Sequence, residues 1–386
     1  MCQASDALRA AASLGADETS WRTLLRDRRP PHRTDADHRV VLLGTGGGAN
    51  PKATRGGYSN AVVAGDAAYL IDCGEGAHAQ TWRAGLTLNP GYAPDRPLLR
   101  TVFLTHLHAD HIMDLVNLFV GSWPPPFVDV LGPAPAGLPI ASYPPDVGRP
   151  LVFPDAPTPG TRDTVELLLR AFAYNINLRV ADEGRAPVTD AVRVHEIGVR
   201  RDGYVPDIDL GVTGDGSSAA AAAPDMEPVV IHREDDHGVQ VSTVLVQHAP
   251  VFPAFGYRFD TPAGSVAFSG DTGPCENVVR LARGADVLVH EAIDVDALMA
   301  RLTRLPNYEA IRNHLASSHT APEDAGAIAK RAGVGTLVLS HLVPGDGEVP
   351  EDEWEARART TFDGEVICGV DLDELSLSSS ASPPTR

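Results

Sequence analysis

The feature that most constrains this chain is a cluster of metal-ligand residue types directly after a short apolar run. The run Thr101–Leu104 is followed by His106, His108, Asp110 and His111. His106 and His108 are two positions apart, so on an extended backbone both side chains point the same way and can hold one ion. Asp110 and His111 fall where the chain is expected to bend into a helix, which directs them toward a second ion. The spacing predicts a metal-dependent enzyme with two adjacent ions.

The pattern His-x-His-x-Asp-His after a hydrophobic strand resembles the signature of the metallo-β-lactamase superfamily. This resemblance implies an α/β fold, an αββα sandwich in which two mixed sheets pack face to face with helices outside. It also implies further ligands from later loops, and His248, Asp271 and His341 each follow an apolar, β-rich run in the expected order. Asp271 is the ligand that the resemblance places between both ions. The implied metal ligands are His106, His108, His248, Asp271, Asp110, His111 and His341.

Within that superfamily, segments Val41–Gly47, Leu70–Gly76 and 270–292 resemble the ribonuclease Z and arylsulfatase-like branch. One element departs from ribonuclease Z, which carries His-Ser-Thr-Ala before its last strand. This chain has Ser-His-Thr-Ala there, so His319 is shifted by one residue. That form is more similar to the arylsulfatase-type relatives. The sequence therefore favours phosphate or sulfate ester hydrolysis over transfer RNA processing.

The chemistry expected of such a cluster is hydrolysis. A water that bridges two divalent ions loses much of its proton affinity, so hydroxide forms near neutral pH and can attack an ester. We expect Asp110 to bind the second ion and orient this hydroxide, and His319 to protonate the leaving group. The expected cofactor is a pair of Zn²⁺ ions, with Mn²⁺ or Fe²⁺ as alternatives, because all three occupy nitrogen and oxygen sites. An exposed position at a helix start is the alternative reading for His319.

Other residues are expected to support the ions or the substrate. A histidine that binds a metal usually donates its other N–H to a carboxylate or carbonyl oxygen. Asp72 and Glu291, which both follow apolar strands, are candidates for this role, and ordinary strand-end turns are the alternative. For each aromatic candidate of the substrate pocket, packing in the core or at the rim is the alternative. The pocket candidates are Tyr257, Arg258 and Trp123.

Charge guides the expectation about the substrate. The formal net charge is −19, whereas binding a polyanion generally requires a patch of Lys and Arg. Nucleic acid is therefore disfavoured as a partner. Two divalent ions, two carboxylates and one hydroxide leave the cluster itself at about +1, so a small anionic substrate can be attracted locally.

Cysteine usage and hydropathy bear on the compartment. The four cysteines are widely spaced with no CxxC pair, so neither a thiolate zinc site nor a disulfide framework is expected. Residues 1–15 lack an apolar core of signal-peptide length, and no later stretch approaches about eighteen consecutive apolar residues. We expect a cytoplasmic protein without a membrane segment, and a homodimer remains open.

The chain is expected to form one large domain with extensions. Residues 1–38 are interpreted as an N-terminal extension and 375–386 as a disordered tail. The hydrolase domain spans 39–374, and it has enough apolar residues, 43% of the chain, for a large core. Within it, the proline-rich and acidic interval of about 124–238 is expected to cover the cleft mainly as loops, because proline cannot complete a strand ladder.

These observations predict a metal-dependent hydrolase that acts on a small anionic ester, either a phosphodiester or an aryl sulfate. Two alternatives use the same site: a lactone or acyl hydrolase, and a biosynthetic tailoring enzyme, since function depends on the cleft loops as well as the fold. A redox di-iron protein is a further alternative, although such relatives place Glu where this chain has His108. Processing of transfer RNA by a ribonuclease Z-type endonuclease ranks below these readings.

Overall fold

Two β-sheets and a set of helices account for the described part of the protein. The computed structural model describes residues 29–123, 127–137, 140 and 150–377. The strands are β1 His38–Gly44, β2 Ser59–Ala64, β3 Ala67–Ile71, β4 Leu98–Phe103, β5 Val128–Pro133, β6 Val192–Gly198, β7 Ile208–Asp209, β8 Val229–Glu234, β9 Val239–Leu245, β10 Phe255–Thr261, β11 Gly264–Phe268, β12 Val287–Ile293, β13 Thr336–Val343, β14 Glu365–Cys368 and β15 Asp373–Ser376. The helices are α1 Ala77–Arg83, α2 Ala109–Ile112, α3 Thr161–Ala171, α4 Ala173–Glu183, α5 Val188–Ala191, α6 Ala219–Ala222, α7 Glu276–Leu281, α8 Val295–Arg301, α9 Tyr308–Ser318, α10 Pro322–Ala332 and α11 Glu351–Arg359, and a π-helical segment spans Asn117–Gly121.

Both sheets are mixed. The first has the order β15-β1-β2-β3-β4-β5-β6-β7, and the second has the order β14-β13-β12-β11-β10-β9-β8. From β3 to β7 neighbouring strands are parallel, as they are from β11 to β14, while the remaining pairs are antiparallel. This architecture confirms the predicted αββα sandwich.

Aromatic side chains join the two sheets at the centre of the molecule. Phe103 of the first sheet meets Tyr257 and Phe259 of the second, with ring centroids 5.5 and 5.2 Å apart. All three side chains are buried, and tilted or edge-on contacts of this kind stabilise aromatic pairs beyond their buried area. The apolar runs seen in the sequence therefore form strands because both of their faces are covered.

The strand ends place the candidate ligands at one edge of the sandwich. β3 and β4 run parallel, so Asp72 and Thr105, which follow them, lie side by side. The N–H of Phe255, at the start of β10, donates to the carbonyl oxygen of Thr105 across 2.9 Å. This bond ties the His106 segment of the first sheet to the second sheet, where β11, β12 and β13 end together.

The interval 124–238 differs from its expected form. Instead of covering the cleft mainly as loops, it contributes β5, β6 and β7 to the edge of the first sheet and β8 to the edge of the second. Val128 and Val130 are fully buried, because alternate residues of β5 pack under α3, which contacts both β5 and β6. The prolines at 124–126 and residues 138–139 and 141–149 lie outside the described residues.

The expected chain ends also need correction. β15 pairs with β1 through Ser376, and Leu377 is buried in the core, so residues 375–377 are part of the folded domain and not of a disordered tail. The segment before β1 is tied to the same place, since Arg29 forms a salt bridge with Asp373 and the backbone N–H of His32 donates to Asp373. Residues 1–28 and 378–386 of the predicted extension and tail lie outside the described part. No helix of the described ranges has the length and apolar content needed to cross a bilayer.

Candidate metal centre

The structure brings together all seven residues that the sequence suggests as metal ligands. They come from the ends of strands in both sheets and form two groups whose ligand atoms lie within 4.8 Å of one another. Asp271 belongs to both groups. The first group is His106, His108, His248 and Asp271, and the second is Asp110, His111, Asp271 and His341.

In the first group, the ring nitrogens lie close to one another and to a carboxylate oxygen, and hydrogen bonds do not satisfy all of them. Nε2 of His248 lies 3.4 Å from Nδ1 of His108, and Nε2 of His106 lies 3.8 Å from Oδ2 of Asp271. Burial lowers the pKa of His106 and His248 well below the usual value. Both rings are therefore neutral, which is the form that binds a cation.

The second group is arranged around the other oxygen of Asp271. Nε2 of His111 and Nε2 of His341 are each 3.3 Å from Oδ1 of Asp271, and 3.3 Å from each other. Oδ2 of Asp110 is 3.2 Å from Nε2 of His341. The two oxygens of Asp271 thus face different groups, as a bridging carboxylate requires.

Unsatisfied polar atoms in this cluster fit bound cations. Within the described residues, neither Nε2 of His106 nor Oδ1 of Asp271 has a hydrogen-bond partner, although both atoms are buried. A buried polar atom without a partner costs about 1–3 kcal/mol, and divalent metals accept nitrogen and oxygen atoms in such sets. The donor set therefore suits a dinuclear metal site, and it leaves the identity of the metal open.

Two of the candidate ligand histidines have a hydrogen-bond partner at Nδ1, the ring nitrogen that faces away from the cluster. Asp72, in the left-handed conformation with φ 58°, places Oδ2 2.8 Å from Nδ1 of His111. The same carboxylate accepts from the backbone N–H and the hydroxyl of Thr105, each across 2.7 Å. Nδ1 of His248 lies 3.0 Å from the carbonyl oxygen of Ser318. Asp72 thus lies behind His111, within hydrogen-bond distance of the nitrogen that faces away from the cluster, and its supporting role stays a prediction.

Glu291 supports a different histidine from those of the ligand set. Its carboxylate oxygen Oε2 lies 2.9 Å from Nδ1 of His319, and Oε1 accepts from the backbone N–H of Thr272. Burial by itself lowers the pKa of His319, but the carboxylate of Glu291 outweighs this effect and raises that pKa to about 9. His319 is therefore held protonated at the edge of the cluster, next to the ring of His248 at 5.0 Å.

The three residues suggested for the substrate pocket lie elsewhere. Tyr257 points into the core between the sheets, and its hydroxyl donates to the carbonyl oxygen of Leu104. Arg258, the next residue of β10, points to the opposite side. It donates to carbonyl oxygens at and just after the end of α7 and pairs with Asp260. Trp123 is buried in the apolar core, and its indole N–H donates to the carbonyl oxygen of residue 186. None of the three faces the cluster.

Two residues near the cluster were not among the predicted site residues. The ring of His314, on α9, lies 6.4 Å from that of His108 and 5.8 Å from that of His319. A signal was available, because His314 lies only four residues before the Ser-His-Thr-Ala element that the sequence interpretation singled out. The second is Gly48, in the glycine-rich turn 44–48 at the end of β1, whose backbone N–H donates to Oδ2 of Asp110 across 2.7 Å.

Known proteins resemble this chain over most of its length. A family model described as a beta-lactamase superfamily domain matches residues 213–342. Ribonuclease Z of Mycobacterium bovis (strain BCG / Pasteur 1173P2) is 33% identical over 336 residues, which covers 87% of this chain and 97% of that protein. Ribonuclease Z of Mycobacterium tuberculosis (strain ATCC 25618 / H37Rv) is 32% identical over 336 residues, with the same coverage.

Solved structures share the fold. Human tRNase Z, short form, is 21% identical with a TM-score of 0.51, covering 88% of this chain and 99% of that one. Zn²⁺-bound PqqB from Methylobacterium extorquens is 14% identical with a TM-score of 0.50, covering 88% of this chain and 100% of that one. At these identities the likeness shows the fold alone.

The names of the curated relatives contradict the function expected from the sequence. The sequence interpretation predicted a small anionic ester as substrate, kept acyl hydrolysis and biosynthetic tailoring as alternatives, and ranked ribonuclease Z activity below them. These predictions are wrong, because the similar proteins are named ribonuclease Z. The one-residue shift of His319 received too much weight, because the folded chain still brings its imidazole beside Glu291 and His248. A net charge of −19 describes the whole surface, so it did not justify excluding a nucleic acid.

Proposed function

This chain is a metal-dependent hydrolase of ester bonds in the ribonuclease Z branch of the metallo-β-lactamase superfamily, and we propose that it processes the 3′ ends of precursor transfer RNA. The observation that carries the proposal is the likeness to ribonuclease Z across almost the full length of that relative. The scissile bond in such a substrate is a phosphodiester, and the cluster of histidines and aspartates at the sheet edge offers the chemistry that this bond needs.

The proposed cofactor is a pair of divalent cations, with Zn²⁺ preferred and Mn²⁺ or Fe²⁺ as alternatives, because all three accept imidazole and carboxylate ligands. When bound, such a pair lowers the pKa of water and stabilises negative charge on phosphate oxygens. His106, His108 and His248 would hold one cation, and Asp271 would bridge to the other. The second cation would take the remaining ligands: Asp110, His111 and His341.

Asp110 is proposed to orient the attacking water. It is the one carboxylate of the second group that is only partly buried, and Gly48 and His341 both approach its Oδ2. This leaves Oδ1 to accept a hydrogen bond from the water. Orientation of the nucleophile by a fixed group removes much of the entropic cost of the reaction.

His319 is proposed to donate the proton that the leaving oxygen needs. Its Nδ1 is engaged by Glu291, so the proton for transfer is the one on Nε2. The carboxylate keeps the imidazole charged at neutral pH, as an acid requires, and it fixes the ring plane. General acid catalysis by a positioned histidine contributes about 10²–10⁴-fold in rate.

The location proposed for this reaction is the cytoplasm. Three cysteines of the described residues, Cys73, Cys275 and Cys368, are free thiols in the core, which suits a reducing compartment. Because the formal net charge of the chain is −19, we expect the attraction of RNA to depend on local groups at the cleft. A homodimer stays a prediction.

The test is cleavage of a precursor transfer RNA with a 3′ trailer by the purified protein supplied with Zn²⁺ or Mn²⁺. We expect one cut that separates the trailer from the transfer RNA, with mature transfer RNA left intact as the control substrate. Asp110→Ala should give no product while keeping the circular dichroism spectrum of the wild type. A metal-loaded protein that leaves the precursor uncut, but hydrolyses aryl phosphates or sulfates rapidly, would contradict the proposal.

A further inference from the structure

His341 is held in the cluster differently from the other buried ligand histidines. His111 and His248 each have a hydrogen-bond partner at Nδ1, a carboxylate oxygen at 2.8 Å and a carbonyl oxygen at 3.0 Å. Nδ1 of His341 is buried and has no such partner in the described part of the chain. The carboxylate oxygen Oε2 of Glu291 is 4.0 Å away, too far for a hydrogen bond. The only hydrogen-bond contacts of this imidazole within the described residues are therefore at Nε2, the atom that would face the cation, and something other than a hydrogen bond must hold the Nδ1 side of the ring.

The backbone conformation of His341 is also unusual. Its φ is 48°, in the left-handed region that residues other than glycine rarely adopt. The pairing of β12 with β13 shifts register at this point, between Glu291 and Ala292. A residue in such a conformation persists only where its surroundings hold it. The surroundings of the side chain thus decide where Nε2 points.

Gly47 lies directly against one side of the imidazole. A Cβ built at Gly47 would lie 2.3 Å from Nδ1 and 2.5 Å from Cε1 of His341, distances that no side chain tolerates. The loop is bound to the same strand, because Gly47 donates to the carbonyl oxygen of Leu342 and Leu342 donates to that of Thr45. Glycine is required here by close approach, and the loop backbone forms one wall of the imidazole site.

Tyr58 packs against the imidazole as a second wall. Its ring is 1% exposed and stands edge-on to His341, with centroids 5.3 Å apart and an angle of 79°. The same ring lies 5.2 Å from that of His111. The carbonyl oxygen of Tyr58 accepts from the N–H of Gly74, which follows the Asp72 turn. Tyr58 therefore contacts both histidines of the second group from a position fixed by the backbone.

We propose that Gly47 and Tyr58 form a packing clamp that positions His341 for the second cation, in place of the hydrogen bond used by His111 and His248. This inference rests on the proposed metal pair. The clamp acts through shape: the glycine leaves room for the ring, and the tyrosine ring stops it from turning away. Both are positioning residues, and neither contacts the substrate in this scheme.

The test measures the affinity for each cation, independently of RNA cleavage. Metal-free protein, prepared with a chelator, is titrated with Zn²⁺ against a competing indicator. Gly47→Ala pushes a methyl group into the imidazole, and Tyr58→Leu removes the ring while keeping an apolar side chain. We expect each to weaken the second Zn²⁺ by about 10–100-fold, the usual cost of disturbing groups that orient a ligand, while the first Zn²⁺ binds as in the wild type.

Two matched variants serve as controls. Gly56→Ala lies in the same loop, where a Cβ would have no contact shorter than 3.4 Å, and Tyr58→Phe keeps the ring. Both should bind two cations like the wild type. If Tyr58→Leu does not fold, Gly47→Ala decides alone.

The outcomes separate this inference from the proposed function. A wild-type protein that binds two Zn²⁺ ions, with a Gly47→Ala variant that binds both equally tightly, would overturn the clamp and leave the enzyme intact. Equal loss of the second ion in Tyr58→Phe and Tyr58→Leu would also overturn it, because the hydroxyl and not the ring would then matter. A wild-type protein that binds no second ion would remove the metal pair and the proposed function with it.

Discussion

The segment His106–His111 and the later residues His248, Asp271 and His341 reach the same cluster by different routes. The first contributes four candidate ligands from six consecutive positions, so its geometry is set by one strand end and one helix start. The later three come from separate strands of the second sheet and meet the first segment only because the sheets pack face to face. Local spacing encodes one half of the site, and topology encodes the other.

This difference predicts where the site is vulnerable. In the segment His106–His111, each candidate ligand has other candidate ligands close to it in sequence, and Asp72 and Thr105 fix the strand end behind them. In the other half, each side chain stands alone at the end of its strand. Substitutions in the second sheet should therefore separate binding of the cations, proton transfer and folding more cleanly than substitutions in the motif.

The largest effect is expected from Asp271→Asn, at the residue where the two halves meet. The side chain keeps its size but loses the charge that faces both groups. Without the bound pair, the pKa of water stays far above neutral pH, so we expect RNA cleavage to fall by roughly 10³-fold or more. Single-turnover cleavage and metal analysis on the same sample measure this. A variant that keeps two ions and wild-type turnover would show that the charge of Asp271 is not needed to hold the two cations.

A smaller effect is expected from His319→Ala, which removes the proposed acid and leaves the ligands in place. Cleavage should fall by about 10²-fold, the lower end of the contribution of a positioned acid, while both cations still bind. Glu291→Gln should reduce the rate in the same direction, because His319 then loses the charge that raises its pKa. Rates measured at saturating RNA, beside metal titrations, test this. Loss of a cation in His319→Ala would instead make it a ligand.

The next effect concerns the support behind His111. Asp72→Asn replaces the oxygen that lies 2.8 Å from Nδ1 of His111, so the imidazole loses its partner or its correct tautomer. We expect affinity for the second cation to fall by about 10–100-fold, while the first cation is retained. Zn²⁺ titration of the metal-free variant measures it. If both cations weaken equally, Asp72 supports the whole strand end and not one ligand.

The sequence predicted the parts of this site that depend on short patterns. The motif and the strand ends before Asp72 and Asp271 follow from spacing and apolar runs, whereas the sandwich fold was predicted from the resemblance to the superfamily. The relation between neighbours on a strand does not: Tyr257 and Arg258 are adjacent in β10, yet one points into the core and the other to the outer face, and neither faces the cleft. A period of two residues predicts that side chains alternate between the two faces of a strand, but it does not predict which face lies toward the site.

Contacts made by long-range packing were equally hidden. Gly47 touches His341 across nearly three hundred positions of sequence, and no pattern near either residue signals the contact. The same limit explains why the predicted substrate was wrong. The position of His319 differs by one residue from the ribonuclease Z pattern, but the fold still places its ring beside the cluster, and the sequence does not show this. Residues that act through a local motif were therefore easier to predict than residues that act through shape.

The smallest effect is expected from Tyr257→Phe, which tests whether this residue belongs to the core or to the substrate pocket. The change removes one hydroxyl, which donates to the carbonyl oxygen of Leu104 in a buried setting. We expect the free energy of unfolding to fall by about 1–3 kcal/mol, because the carbonyl oxygen is left without that donor. KM and kcat for RNA cleavage should stay unchanged, since the side chain lies beneath the cluster and out of the cleft. Urea denaturation and steady-state kinetics on the same variant decide this, and a raised KM with unchanged stability would return Tyr257 to the substrate pocket.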